Sequence, residues 1–412
     1  MKRVPQMNDG RVLLLYVAAN PKSRVENERA CKVMPAGNTR AVFVYQPFPI
    51  VMATGRDCYL SSLDGVEYLD FVSEYFAGMY GHSHQAIKSA IQEACSSGFN
   101  YGAPSQVEIE LVEEITSRFP SMEMLQFCTS GTEANTLAIV VGLNFSQRRK
   151  IRASKKLFRG CWSSSGLRLP HEFILAPYND IKGTEKLLTQ DVGVIIVEPM
   201  QGAGGMVPTT KEFLFFLREQ ATKLGAVLIF DEVVTARTHY NGLQSYHSII
   251  PDMTTIGKFY GGGMLFGAYG GRQQIMNTLD SCAANSLHHS GTWHNNKSTM
   301  AAGLAAMKLL SRESIEKANT LGEQLKQGLD KVFNSGSTTA IIRGVGSLVG
   351  LHFLGPDSGT LRDAFYFFLL THKIYVGHRG FFCLNIMHQE KHVMAVLEAS
   401  RAFYDAAFMD SA

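Results

Sequence analysis

Three strand-like runs, each closed at its carboxyl end by ionisable residues, restrict what this chain can fold into. Residues 192–197 are apolar and β-branched and stop at Glu198-Pro199. Residues 226–230 repeat the pattern and stop at Asp231-Glu232, and a shorter run, 254–256, stops at Gly257-Lys258. Between the first two, 211–224 carries helical periodicity until Gly225 breaks it. Strand, helix and strand in that order are the βαβ signature of an α/β fold with a mostly parallel sheet. In open sheets of this kind ligands bind just beyond the carboxyl ends of the strands, which is where these ionisable residues fall.

With 412 residues, the chain has room for two or more domains. After His294-Asn295-Asn296 the pattern is helical over 299–310 and 313–333, mixed over 340–353, and helical again over 391–407. We read a large domain over 53–297 and a smaller α+β domain built from both chain ends, 1–52 and 298–412. The formal charge of +3 is too near balance for a nucleic-acid or membrane partner spread over the surface. At 18% the charged fraction is low, which favours surface buried in an oligomer. The seven cysteines are scattered without a C-x-x-C pair, so a reducing, cytoplasmic setting is expected and a structural zinc or disulfide framework is not. No apolar run reaches membrane-spanning length, and 12–19 reads as a first helix rather than a signal segment.

Three features carry chemistry. The first is Thr129-Ser-Gly-Thr-Glu-Ala-Asn135, small residues that open an apolar helix over 136–143. Free backbone N–H groups at such a start make an anion site, although a Ser/Thr cap with a capping glutamate explains the same residues. The second is Asp231, which follows five apolar residues where a carboxylate is costly without a partner, structural or functional. The third is Lys258, set between Gly257 and the run Gly261-Gly-Gly263; the alternative reading is a solvated turn.

One cofactor accounts for all three. Pyridoxal 5'-phosphate requires a lysine amine to condense with its aldehyde, a carboxylate against its pyridine nitrogen and a cradle for its phosphate. On this reading Lys258 and Asp231 are the catalytic pair, while Ser130, Gly131 and Thr132 hold the phosphate.

The stretch from Pro251 through Lys258 to Arg272 resembles the lysine region of class III, fold-type I aminotransferases and glutamate-1-semialdehyde aminomutases. So do Ser130-Gly-Thr-Glu-Ala134, Val197-Glu-Pro-Met-Gln-Gly202, Phe230-Asp-Glu-Val-Val-Thr235 and Ser290-Gly-Thr292, in the family's order and across nearly the whole chain. Within the family, Pro35-Ala-Gly-Asn-Thr-Arg40, Tyr45-Gln-Pro-Phe-Pro49, Glu74-Tyr-Phe-Ala-Gly-Met-Tyr-Gly-His82 and Arg379-Gly-Phe381 are most similar to the β-phenylalanine type of aminotransferase. The resemblance implies a homodimer with shared active sites, with Val233 on one face of the cofactor ring and Thr292 reaching the phosphate of the neighbouring subunit. It also implies Arg40, Tyr75 and Arg379 as substrate-binding residues: Arg40 for the carboxylate of the amino donor and Arg379 for a dicarboxylate acceptor. A planar guanidinium suits either carboxylate, and an ion pair is the alternative. Ala203 stands where related diamine and ω-amino acid enzymes carry glutamate, which disfavours ornithine and γ-aminobutyrate.

The chain departs from the family in one place. After the Ser-Gly-Thr helix the family has a strand and a Tyr-His-Gly element whose aromatic ring stacks on the cofactor; here Arg152 to Gly166 is shorter, Trp162 is the candidate for the stacking ring, and Ser163, which cannot replace it, stands in place of the histidine. From Arg148 to Arg168 there are eight basic residues and no acidic one, read as a solvated surface or the trace of a faulty gene prediction in preference to a polyanion patch. The expected function is transfer of an amino group from an amino acid, an aromatic β-amino acid by resemblance, to a keto acid such as 2-oxoglutarate. The alternatives are a 2,1-aminomutase, which keeps the amine on one substrate, and a cofactor-binding homologue impaired by the changed aromatic element.

Overall fold

The computed structural model describes residues 11–154 and 172–409. They divide into two compact units, one lying within Gln85–Lys317 and Phe76–Gly78, the other within Met1–Tyr75, Met79–His84 and Ala318–Ala412.

The first unit is built on a seven-stranded sheet in the order Met124–Cys128, Gly267–Gly271, Met253–Gly257, Val227–Asp231, Val192–Val197, Lys150–Ser154, Glu172–Ala176. Gly267–Gly271 runs antiparallel to both its neighbours, and the remaining pairs are parallel. Alternate residues of the central strands serve opposite faces. Ile195, Val197, Leu228 and Phe230 pack with Phe213, Leu214, Leu217 and Leu224 of the helix Lys211–Leu224. Val194, Ile196, Val227 and Ile229 pack with Ala134, Ala138 and Val141 of the helix Gly131–Ser146. Lys211–Leu224 begins where Thr210 accepts from the Phe213 N–H at 3.2 Å, and stops at Gly225, whose φ of +65° ends the helix at little steric cost. Each large apolar side chain buried this way contributes about 1.5–3 kcal/mol.

The second unit holds a four-stranded sheet, Met52–Arg56, Tyr59–Ser62, Glu67–Asp70 and Ile374–Tyr375, and a three-stranded one, Ala340–Val345, Leu348–Phe353 and Phe381–Cys383. Its core is strongly aromatic: the Phe333, Phe353, Phe365 and Phe403 rings meet mostly edge to face.

The unit boundaries differ from the expected 53 and 297. Residues 53–75 go with the chain ends because Glu67–Asp70 pairs in parallel with Ile374–Tyr375. Residues 298–317 go with the large unit. There the buried Arg118 guanidinium donates to Met307 O at 2.6 Å and Leu310 O at 2.7 Å, locking the end of the helix Lys297–Leu309 to the helix Gln106–Arg118. No helix among the described residues is long and apolar enough to cross a membrane.

Candidate active site

The carboxyl ends of the central strands deliver Glu198, Asp231 and Lys258 to one place. Asp231 is only 7% exposed; its Oδ1 accepts from the Val233 N–H at 3.0 Å and its Oδ2 from Asn135 Nδ2 at 2.8 Å. Asn135 is itself held by the Thr255 hydroxyl, from the residue beside Asp231 on the next strand. Burial raises the Asp231 pKa against the hydrogen bonds and the nearby Lys258 charge. Glu198 is raised more strongly, first by burial and then by the Asp231 charge, with the Gly202 N–H at 3.1 Å and Lys258 opposing. Two buried carboxylates thus share one lysine.

Lys258 opens a short 3-10 turn with φ of +57°. A lysine gains nothing from that conformation, which costs about 1–3 kcal/mol and persists only where surrounding structure imposes it. Neighbouring glycines supply the constraint. A Cβ on Gly257 would stand 3.2 Å from the backbone of Gly131, and one on Gly267 would stand 2.2 Å from Ser130 O. The lysine turn is thereby pressed against the start of the helix Gly131–Ser146.

That helix start combines both readings of its sequence. Ser130 is the N-cap, accepting from Glu133 N at 3.2 Å, and the Glu133 carboxylate turns back to Thr129 N and Oγ1 at 2.7 and 2.6 Å. The cap leaves the N–H groups of Gly131 and Thr132, which by position have no acceptor within the helix, at its positive end. Gly131 lies under Val233: a Cβ there would meet Val233 Cγ1 at 2.5 Å. The structure therefore brings Ser130, Gly131, Asp231, Val233 and Lys258 together, with Thr132 following Gly131 in the first helical turn.

This arrangement fits pyridoxal 5'-phosphate. A buried carboxylate fed by neutral donors calls for a cationic N–H partner, a constrained lysine lies beside it, and a helix N-terminus lined by glycines admits a phosphate. Glu232, the next residue, serves differently. It is fully buried and accepts from Leu243 N, Gln244 N and Thr235 Oγ1 at 2.8–3.0 Å, so it braces the loop.

In the other unit, Arg40 sits over two rings, 4.7 Å from the centroid of Phe43 and 5.1 Å from that of Tyr75. The Tyr75 hydroxyl donates to Val42 O at 3.0 Å, and its ring meets Phe381 edge to face. Burial, helped by Tyr45, pushes the Tyr75 phenol up to about 12, while the charges of Arg40 and Arg379 pull it down. Arg40 thus lies over the Tyr75 ring and Arg379 is near enough for its charge to act on the phenol, although both arginines are exposed. Ser73, Glu74 and Tyr75 all have positive φ, 44° to 55°, an unusual left-handed run. His82 ties it down, its Nε2 on Asp70 Oδ2 at 2.9 Å and its Nδ1 on Glu74 Oε1 at 3.3 Å.

Thr292 is exposed, and its carbonyl accepts from Asn100 Nδ2 at 3.0 Å. Trp162 lies outside the described residues. Sequence reasoning missed Asn135, Thr255 and the pairing of Glu198 with Asp231. Asn135 stands in the mostly polar stretch Thr132 to Thr136 at the helix start, so the sequence pattern alone did not set it apart.

The chain matches the family Aminotransferase class-III over residues 43–165 and 168–377. It belongs to that family. It is therefore a transaminase with pyridoxal 5'-phosphate as cofactor, and its fold is that of the fold-type I enzymes. It is 39% identical over 390 residues to a β-phenylalanine transaminase of Variovorax paradoxus, covering 90% of each chain. It is 33% identical over 366 residues to a glutamate-1-semialdehyde 2,1-aminomutase of Bacillus licheniformis, covering 81% of this chain and 84% of that one. The crystal structure of a β-phenylalanine aminotransferase from Variovorax paradoxus superimposes with a TM-score of 0.93 at 36% identity, covering 97% of both chains.

Proposed function

We propose that the enzyme transfers the amino group of an aromatic β-amino acid to a keto acid such as 2-oxoglutarate or pyruvate. The observation that carries this reading is the Arg40–Tyr75–Arg379 group. The Arg40 guanidinium over the Tyr75 ring, the Arg379 charge felt by the same phenol, and Phe43 and Phe381 adjoining suit a carboxylate attached to an aromatic body and, in the second half-reaction, a dicarboxylate. The likeness to β-phenylalanine transaminase supports it.

Lys258 would hold the cofactor, and its free amine would carry the proton taken from the amine-bearing carbon of the substrate. Bound there, pyridoxal phosphate supplies an electrophilic aldehyde and a conjugated ring that accepts the electron pair left by C–H cleavage. Asp231, oriented by Asn135 and Val233 N–H, keeps the ring nitrogen protonated. Val233 would lie against one face of that ring. Ser130, Gly131 and Thr132 would hold the phosphate from one subunit and Thr292 from the other. A homodimer is part of the proposal: Phe99 and Trp293 are 69% and 59% exposed on loops joined by the Asn100 and Asn296 amides, an apolar rim suited to a second copy.

An amine-donor panel tests the substrate. The holoenzyme is mixed with β-phenylalanine, α-amino acids or terminal amines, the cofactor's visible band is followed, and a keto acid is then added. Bleaching by β-phenylalanine that 2-oxoglutarate or pyruvate reverses supports the reading. Bleaching only by other donors overturns the β-amino acid assignment, and conversion of glutamate-1-semialdehyde without added acceptor favours the aminomutase.

A further inference from the structure

The loop after the large sheet brings two imidazoles to the glutamate that caps the phosphate-cradle helix. His294 Nε2 stands 3.1 Å from Glu133 Oε1, the His289 and His294 rings stack at 4.9 Å, and one donor atom from each of the three residues lies within 4.8 Å of the others. We infer that Glu133, His289 and His294 form a site for a divalent transition-metal cation of the zinc type.

The donor set is two nitrogens and one carboxylate oxygen, the combination that zinc takes with a fourth position left to water. Around one zinc, donors at about 2.0–2.1 Å stand roughly 3.4 Å apart, so the His294–Glu133 pair already has the required spacing and a small ring rotation brings His289 in. All three side chains are half-buried, which limits competition from bulk water.

The surroundings prepare each ligand. Thr129 N and Oγ1 both donate to Glu133 Oε2, leaving Oε1 for the cation. The Tyr269 hydroxyl donates to Gln126 Oε1 at 2.8 Å and so meets His289 Nδ1, 3.4 Å away, as an acceptor. That arrangement puts the His289 proton on Nδ1 and the lone pair on Nε2, as metal-binding histidines require. Gly291 is needed beneath His294, since a Cβ there would fall 2.1 Å from its Nε2. The cation would take the place of the His294 Nε2–Glu133 Oε1 contact, with Nε2 and Oε1 both turned to it. Because Thr292 lies between the two histidines, the bound cation also fixes the backbone on both sides of it. The site is independent of the substrate proposed above.

The test is zinc titration of the dialysed, metal-free holoenzyme by calorimetry, with melting temperature as a second readout. The account expects saturable binding of a single zinc ion per chain in the micromolar range and a higher melting temperature. His294→Gln and His289→Asn should each weaken binding by about tenfold or more while keeping the cofactor's visible band. A cobalt titration read by visible d–d bands gives the same comparison should one variant melt early. Absence of saturable binding to the parent up to millimolar zinc, or parent-like binding by both variants, overturns the site.

Discussion

The two units carry their proposed roles on different supports. In the unit of Gln85–Lys317 the polar groups stand at ends of buried strands or open a helix, and Asp231, Asn135 and Thr255 are buried or held through one another. In the unit formed by the chain ends, Arg40 and Arg379 are exposed, and the element that presents Tyr75 is a left-handed turn held by His82. Proton transfer demands a fixed geometry, which a close-packed sheet provides. Recognition of carboxylates tolerates adjustment, which exposed guanidinium groups allow. The contrast predicts losses of turnover from substitutions in the first unit and losses of substrate affinity from those in the second.

The largest effect is expected at Lys258. Lys258→Ala should lower the steady-state rate by about a thousandfold or more, since both the tether and the proton carrier vanish, with secondary structure unchanged by circular dichroism. Asp231→Asn comes next: cofactor should remain bound while kcat falls on the order of a hundredfold or more, because an amide cannot keep the ring nitrogen protonated. An Asp231→Asn enzyme of near-normal kcat would mean that another group, Glu198 foremost, performs that task. In the second unit, Arg40→Ala should raise KM for the amino donor and Arg379→Ala that for the keto acid. Each should do so by about 1.5–3 kcal/mol, roughly ten- to a hundredfold, with kcat affected less. Equal effects on both substrates from both variants would break the division of labour.

The smallest effect concerns pH. Burial alone would lower the His82 pKa, but the hydrogen bonds and charges of Asp70 and Glu74 outweigh it and hold it at about 9. A histidine raised in the folded state stabilises the fold fully below its ordinary value of about 6.5, and that contribution disappears as pH rises through 9. Melting temperature should therefore fall between pH 7 and 10, and His82→Gln should be less stable at pH 7 with a flatter profile. Identical slopes in parent and variant would leave the left-handed turn without its proposed clamp.

Much of the first unit was legible because its signals are local. Lys211–Leu224 and Val192–Val197 were readable from periodicity and flanking residues, and the lysine and aspartate from their positions at strand ends. Gly267–Gly271 was not read as a strand, since three glycines in five residues argue against one. They are there because neighbouring backbone comes close: a Cβ on Gly270 would stand 2.6 Å from Met124 O, and one on Gly267 closer still to Ser130 O. Asn135 reaches a carboxylate 96 positions away, and Glu67–Asp70 finds its neighbour in Ile374–Tyr375. Such pairings leave no periodic trace, which is why the domain boundaries and the support behind Asp231 emerged only in three dimensions.

The central claim is that Lys258, placed by Gly257 against the start of the helix Gly131–Ser146, is the residue joined to the cofactor. Borohydride reduction of the holoenzyme followed by peptide mass mapping tests it directly. The account predicts a single pyridoxyl-phosphate adduct on the peptide containing Lys258, and its loss in Lys258→Ala. An adduct on another lysine of the parent, or none in protein that carries the cofactor's visible band, would contradict it.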